Sequence, residues 1–99
     1  MEISINEGSS KIAIDIDGVI KGVTDSQRFK DAIESIQAQN KPIEININES
    51  FAITSTIIGY LRKKIQIDKL DITLNVKDER LYELLEELML AEIFNAKKI

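Results

Sequence analysis

Short alternations of apolar and polar residues mark four segments of the chain as β-strands. Residues 11–18 and 42–48 alternate isoleucine with polar or small residues, and residues 71–76 do so with Ile, Leu and Val. A period of two places every second side chain on one face of a sheet, so each segment predicts a half-buried strand. Residues 2–5 form a shorter alternation, which predicts an edge strand joined to the next strand by a hairpin through residues 7–10.

Between these strands the apolar period changes to that of a helix. The first helical segment runs from Thr24 to about Asn40 and stops before Pro42. Thr24 and Gln27 have the spacing of a capping box, in which each side chain accepts from a free amide of the first turn. The predicted buried face of this helix consists of Phe29, Ala32, Ile33 and Ile36.

Two further helices follow the second and third long strands. One begins at Thr54 or Ser55, and the other begins at Lys77 or Asp78. The tail at residues 91–94 carries more apolar side chains, which we expect to pack back on the core. The predicted inward-facing residues are Ile57, Ile58, Leu61 and Ile65 in one helix, and Leu81, Leu84, Leu85 and Leu88 in the other.

The element order β-β-α-β-α-β-α predicts an α/β fold over a single domain, residues 1–99. Strand–helix–strand repeats favour parallel pairing, while the opening hairpin adds an antiparallel N-terminal edge. The predicted architecture is therefore a mixed, mostly parallel sheet with about three helices. Because the strands alternate, we expect one sheet face to be wetter than in a sheet covered on both sides.

The amino-acid composition excludes several kinds of catalytic and metal site. The 99 residues are 43% apolar and 30% charged, which is typical of a globular domain, and they include neither cysteine nor histidine. Thiolate metal sites and cysteine nucleophiles are excluded, and the commonest general base and metal ligand is missing. We therefore expect no metal, no cofactor and no enzymatic activity.

Charge and hydropathy limit the partners. Thirteen basic against seventeen acidic residues give a net charge of −4, whereas nucleic-acid binding needs a basic face that neutralises phosphates. The basic runs at residues 62–64 and 97–98 are short, and we interpret them as solvated charges. No signal peptide is visible and no apolar run approaches ~20 residues. We expect a cytoplasmic protein that binds no nucleic acid and spans no membrane.

Residues 15–19 resemble a catalytic motif. The sequence Asp15-Ile16-Asp17-Gly18-Val19 resembles the D-x-D-G-[TV] motif of haloacid-dehalogenase-type phosphotransferases, in which the first Asp is the nucleophile and the second the acid/base. Those enzymes need further Ser/Thr, Lys and acidic residues to hold Mg²⁺, and this chain is too short to supply them in that arrangement. We interpret Asp15 and Asp17 as the polar face of an alternating strand, with the Mg²⁺-dependent phosphotransferase as the least favoured alternative.

Three adjacent hydroxyl residues, Thr54, Ser55 and Thr56, lie where a strand hands over to a helix. A helix N-cap needs one such residue and gains about 1 kcal/mol from it. Capping therefore explains one hydroxyl well and three less well. The cluster is the strongest candidate for a functional site in the chain.

At this segment the chain resembles the STAS domain of anti-sigma-factor antagonists. The family motif D-S-[ST]-G-[LI]-G-x-L places Ser55 on the phospho-acceptor and Thr56 on the next hydroxyl, with Gly59 and Leu61 on the helix positions. Similarity extends over residues 14–20, 71–76 and 84–94 and so covers essentially the whole chain. The chain departs from the motif with Thr54 in place of the acid and Ile57 in place of the first Gly, and Lys21 replaces an acid after the G-x-[LI] turn. It is therefore identified as a divergent member.

The resemblance implies a non-enzymatic regulatory module, a monomer or weak dimer, that binds an anti-sigma factor which is also a serine-kinase-like ATPase. Phosphorylation of Ser55, with Thr54 and Thr56 as alternates, would gate that binding. An alternative is a STAS-type structural subunit of a bacterial lipid-transport ABC machine, docked on the transporter ATPase. The expected partner-binding residues are Thr24, Asp25, Ser50, Thr54, Ser55, Thr56 and Tyr60.

Overall fold

The alternating segments form strands in the computed structural model, which describes residues 1–99. The sheet has the order β1-β2-β3-β4-β5; β1 is antiparallel to β2, and all other neighbours are parallel. The predicted hairpin and mixed sheet are confirmed. The strands are β1 (Glu2–Glu7), β2 (Ile12–Asp17), β3 (Ile43–Ile47), β4 (Ile72–Val76) and β5 (Ala96–Lys98).

Three α-helices connect the parallel strands: α1 (Gly22–Ile36), α2 (Ser55–Gln66) and α3 (Glu79–Glu87). A 3₁₀ turn at Gln37–Gln39 extends α1 towards Asn40, close to the predicted end of the helix. Sequential strands joined by right-handed crossovers place all their helices on one face of the sheet. The buried residues of all three helices accordingly share one core with the inward isoleucines of the strands. No helix is long and apolar enough to cross a membrane.

The opposite face of the sheet is polar and open. Asn46 Nδ2 donates to Asp15 Oδ1 at 2.9 Å, and Asn75 Nδ2 donates to Asn46 Oδ1 at 2.8 Å. Asn6 Nδ2 on the edge strand donates to Asp15 Oδ2 at 3.1 Å, so one row of hydrogen bonds crosses four strands. In β2, β3 and β4 the residues on this face are half-buried, whereas those on the helix face are buried. This difference confirms the expected wetter face.

The helix α1 begins two residues earlier than the sequence predicts. The predicted capping box of Thr24 and Gln27 is wrong, because the helix begins at Gly22 and its N-cap is Lys21, whose side chain makes no capping hydrogen bond. Gly22 has a φ of 78°, which glycine adopts without strain, so the chain turns into the helix before Thr24. Asp25 Oδ2 instead accepts from the Lys21 amide at 3.0 Å.

The inward face of α3 is narrower than predicted. Leu81 and Leu85 are fully buried, but Leu84 and Leu88 are 36% and 50% exposed. A short helix on the sheet buries the residues pointing straight at it, and these two leucines lie to one side of that line. Phe94 beyond the helix is fully buried, which confirms that the tail packs back on the core.

The sequence predicts neither the strand β5 nor the burial of Lys64. Residues 96–98 pair with β4 as β5, although Lys97 and Lys98 read as charges of a solvated tail. Lys64, predicted to be solvated, is buried between α1 and α2. Its ammonium lies 3.2 Å from carboxylate oxygens of both Glu34 and Asp68, and these two anions compensate its removal from water.

Candidate functional site

The carboxyl ends of β2, β3 and β4 lie side by side at one end of the sheet, where three loops lead into the three helices. In open α/β sheets, binding sites form at this end of the strands. We call residues 18–25, 48–56 and 77–80 the strand-end surface. The hydroxyl cluster predicted from the sequence lies on it.

Ser50 links the loop after β2 to the loop after β3. It is fully buried. Its Oγ accepts from the Ile20 amide at 3.0 Å and the Ala52 amide at 3.2 Å, and it donates to the Ala52 carbonyl at 2.7 Å. This corrects the expectation that Ser50 lies on the binding surface, because a buried hydroxyl with these bonds is not available to a partner.

Thr54 is the N-cap of α2, and both hydrogen-bonding roles of its hydroxyl are in use. Thr54 Oγ1 accepts from the Ile57 amide at 3.2 Å and lies 2.8 Å from Ser26 Oγ. Ser26 donates its one proton to the Gly22 carbonyl at 2.8 Å, so the proton between the two hydroxyls comes from Thr54. Thr54 therefore caps α2 and ties its first turn to the first turn of α1.

Ser55 and Thr56 are left free by this arrangement. Both side chains are exposed, and neither takes part in the cap. Ser55 is the first residue of α2, where the free amides and the helix dipole favour a negative charge. A phosphate on Ser55 is therefore compatible with the fold, whereas a phosphate on Thr54 would remove the proton that Thr54 donates to Ser26.

Exposed apolar side chains also belong to the strand-end surface, and none of them is among the candidate residues that the sequence predicts. Val19 is 37% exposed, Phe51 46% and Val23 86%. Val19 and Phe51 are the chain neighbours of Ile20 and Ser50, which share the hydrogen bond described above. A signal was present in the sequence, because all three fall outside the apolar stripes that form the core. We call Val19, Val23 and Phe51 the apolar patch.

The third loop contributes a charged cap beside Phe51. The guanidinium of Arg80 lies 4.9 Å from the centroid of the Phe51 ring, within the range of a cation–π contact. Asp78 Oδ1 accepts from the amides of Arg80 and Leu81 at 2.8 and 3.3 Å, so Asp78 caps α3. The hydrogen bond from the Arg80 side chain, assisted by those amides, lowers the pKa of Asp78 below 3.8.

The remaining predicted residues are divided between two places. Thr24 is exposed and Asp25 half-buried in the first turn of α1, so both belong to the strand-end surface. Tyr60 lies five residues beyond Ser55, about 8 Å along the helix axis. Its phenol donates to Glu34 Oε1 at 2.9 Å, which places it in the seam between α1 and α2 rather than at the strand ends.

The two polar ends of that seam differ in chemistry. Burial, followed by the hydrogen bond to Glu34, raises the pKa of the Tyr60 phenol. The same hydrogen bond, together with that from Lys64, lowers the pKa of the Glu34 carboxyl. Neutral hydroxyls therefore join the helices at the strand-end surface, and charged groups join them at the far end.

Asp15 and Asp17 occupy the polar sheet face, as their alternation predicts. Asp15 accepts from Asn6 and Asn46, and Asp17 Oδ1 accepts from Asn48 Nδ2 at 3.1 Å. No group of three or more acidic side chains lies together as a metal site requires. The structure thus pairs Asp15 with carboxamides of β1 and β3, and Asp17 with the carboxamide of the residue that follows β3.

Comparison with models of known protein families finds no match to this chain, and comparison with curated proteins finds none either.

Proposed function

We propose that the chain is a non-enzymatic, cytoplasmic regulatory module that binds a serine-kinase-like ATPase, in the manner of the anti-sigma-factor antagonists that its sequence resembles. Its binding surface would be the apolar patch with the exposed first turns of α1 and α2. One observation carries the proposal: Ser55 is exposed and unused at the start of α2, while Thr54 does the capping.

Phosphorylation of Ser55 would act on binding and not on folding. The phosphate adds a charge of about −1.5 to −2 at a helix N-terminus, where the fold tolerates it. A partner that covers the apolar patch would have to desolvate that charge, and burying an unpaired charge is costly. Modification of Ser55 would therefore release the partner and leave the domain intact.

The test uses three forms of the chain as baits in lysate of the cell that makes it: wild type, Ser55→Ala and Ser55→Asp. We expect the wild type and Ser55→Ala to retain the same ATPase and Ser55→Asp to lose it. With ATP, the captured protein should add one phosphate to the wild type and none to Ser55→Ala, as read by intact mass. Ser9→Asp is the charge control, because Ser9 is exposed in the hairpin at the opposite end of β2.

A second arm tests the surface independently of the phosphate. Phe51→Ala should weaken capture by roughly thirtyfold if Phe51 is an aromatic anchor of the interface. Leu88→Ala is the matched control, because Leu88 is half exposed but is the C-cap residue of α3, outside the strand-end surface. Equal capture by all the Ser55 baits would overturn the switch. Retention of a transporter ATPase whatever stands at residue 55 would instead indicate the structural-subunit alternative.

A further inference from the structure

The two edges of the sheet are built differently. β5 is three residues long and ends in Lys97 and Lys98, and a short strand rich in lysine discourages pairing with another sheet. β1 is six residues long and contains no lysine, proline or bulge. One of its isoleucines, Ile5, is 38% exposed. The β1 edge therefore carries its charges only at its two ends, Glu2 and Glu7, and the four residues between them are uncharged.

The hydrogen-bonding phase of β1 follows from the neighbouring strands. The Ile12 amide donates to the Pro42 carbonyl, and the Ile16 carbonyl accepts from the Asn48 amide, so the even residues of β2 point their main-chain groups at β3. The odd residues of β2 then point theirs at β1. The register pairs these odd residues with Glu2, Ser4 and Asn6. The amides and carbonyls of Ile3, Ile5 and Glu7 consequently point outwards, away from the sheet.

We propose that β1 pairs antiparallel with β1 of a second copy of this chain, around a twofold axis at Ser4. In this register Ile3 faces Ile5 of the other copy, and the outward amides and carbonyls of both residues pair with one another. The side chains of this pair lie on the helix face, so the exposed part of Ile5 becomes covered. The sheet then runs continuously through both copies.

Side-chain pairing favours this register over the one shifted towards Glu7. With Ser4 on the axis, Glu2 faces Asn6 of the other copy, and no like charges lie directly opposite. A shift that places Ile5 on the axis would set Ile3 against Glu7, whose carboxylate already accepts from Gln39 of the same chain. That shifted register keeps one apolar pair, Ile5 with Ile5, whereas the axis at Ser4 makes two pairs of Ile3 with Ile5, so the axis at Ser4 is favoured over it.

One strand pair covers less than the roughly 800 Å² per partner of a standard interface. We therefore expect a reversible dimer that forms at tens to hundreds of micromolar. Sedimentation equilibrium from about 1 µM to about 1 mM should show the mass rising from 11.2 kDa towards twice that value. A mass that stays at one chain throughout this range would overturn the proposal.

Two variants test the interface itself. Ile5→Lys should weaken dimerisation at least about tenfold, because each copy loses the apolar pair and gains a charge at the edge. Ile67→Lys is the control, since Ile67 is an exposed isoleucine next to the end of α2, away from β1. Equal dimerisation by both variants would contradict the assigned edge. The proposal would also be overturned if the chain bound an added β-strand peptide but did not associate with a second copy of itself.

A cysteine pair tests the register. The chain has no cysteine, so Ser4→Cys introduces a single thiol on the proposed axis, where the two Cα atoms of a non-hydrogen-bonded pair lie about 4.5 Å apart. Mild oxidation should convert Ser4→Cys to a disulfide-linked dimer. Asn6→Cys should cross-link far less, because its counterpart lies four residues further along the paired strands. Cross-linking of Asn6→Cys as fast as Ser4→Cys would rule out this register.

Discussion

The hydroxyl residues of the strand-end surface divide into two groups with different work. Ser50 and Thr54 point inwards and hold the loops and helices together, whereas Ser55 and Thr56 point outwards and hold nothing. Ser50 and Ser55 stand only five residues apart. The difference teaches that a hydroxyl needed by the fold and a hydroxyl available to a partner can lie in one short segment. Capping and signalling are therefore not rival explanations of the cluster.

Replacing Ser50 should produce the largest loss of stability in this segment. Ser50→Ala leaves the buried Ile20 amide without its acceptor and removes both bonds to Ala52. An unsatisfied buried donor costs about 1–3 kcal/mol, so the free energy of unfolding should fall by that amount in urea titrations. Ser55→Ala is the matched control and should stay within about 0.5 kcal/mol of the wild type. Similar losses for both serines would contradict the division.

Thr54→Val should come next, at about 1–2 kcal/mol, because it removes the cap of α2 while keeping the shape of the side chain. Thr54→Ser keeps the hydroxyl and should recover most of the loss. In a double-mutant cycle, Thr54→Val and Ser26→Ala together should lower the free energy of unfolding by less than the sum of the two single changes, since the two hydroxyls are hydrogen-bonded at 2.8 Å. Strict additivity would mean that this bond contributes nothing.

The sequence predicted the fold better than the site. Alternating apolar residues identified β2, β3 and β4 because the period of a strand depends only on neighbours along the chain. β5 was missed, since three residues with two lysines carry no period and pair only because Phe94 anchors the tail in the core. Local pattern is thus sufficient for long strands and insufficient for a strand that tertiary contacts define.

The site needed distances between segments far apart in sequence. Thr54 and Ser55 both looked like candidate caps, and the choice depends on Ser26, which lies 28 residues from Thr54. The burial of Ser50 depends in the same way on Ile20, in another loop. The exposure of Phe51 follows once these bonds fix the loop. No period or spacing within one segment contains that information.

Acid should reveal a contrast between the neutral cap of α2 and the charged cap of α3. The pKa of Asp78 lies below 3.8 in the folded chain, chiefly because of the Arg80 hydrogen bond. This carboxylate therefore contributes stability that is present above pH 3.8 and is lost as the pH falls through its lower folded value. The Thr54 hydroxyl does not titrate, so its contribution should not change.

The comparison uses urea titrations of the wild type and Asp78→Asn at about pH 7 and about pH 2.5. Asparagine is also a good cap but carries no charge, so the advantage of the wild type at the higher pH should shrink at the lower pH. The advantage of the wild type over Thr54→Val should be the same at both pH values. An Asp78 advantage that grew in acid would have the wrong sign for this cap.

The smallest predicted effect lies at Ser55 and has the opposite sign. Ser55→Asp places a negative charge on the first residue of α2, where four amides lack helical partners and the dipole is favourable. The free energy of unfolding should rise by about 0.3–0.5 kcal/mol in low salt, and the gain should fade as salt is added. Ser9→Asp, outside any helix, should give no such gain. Destabilisation by Ser55→Asp would mean that a charge here disturbs the fold itself, and any loss of partner binding could then no longer be assigned to the surface.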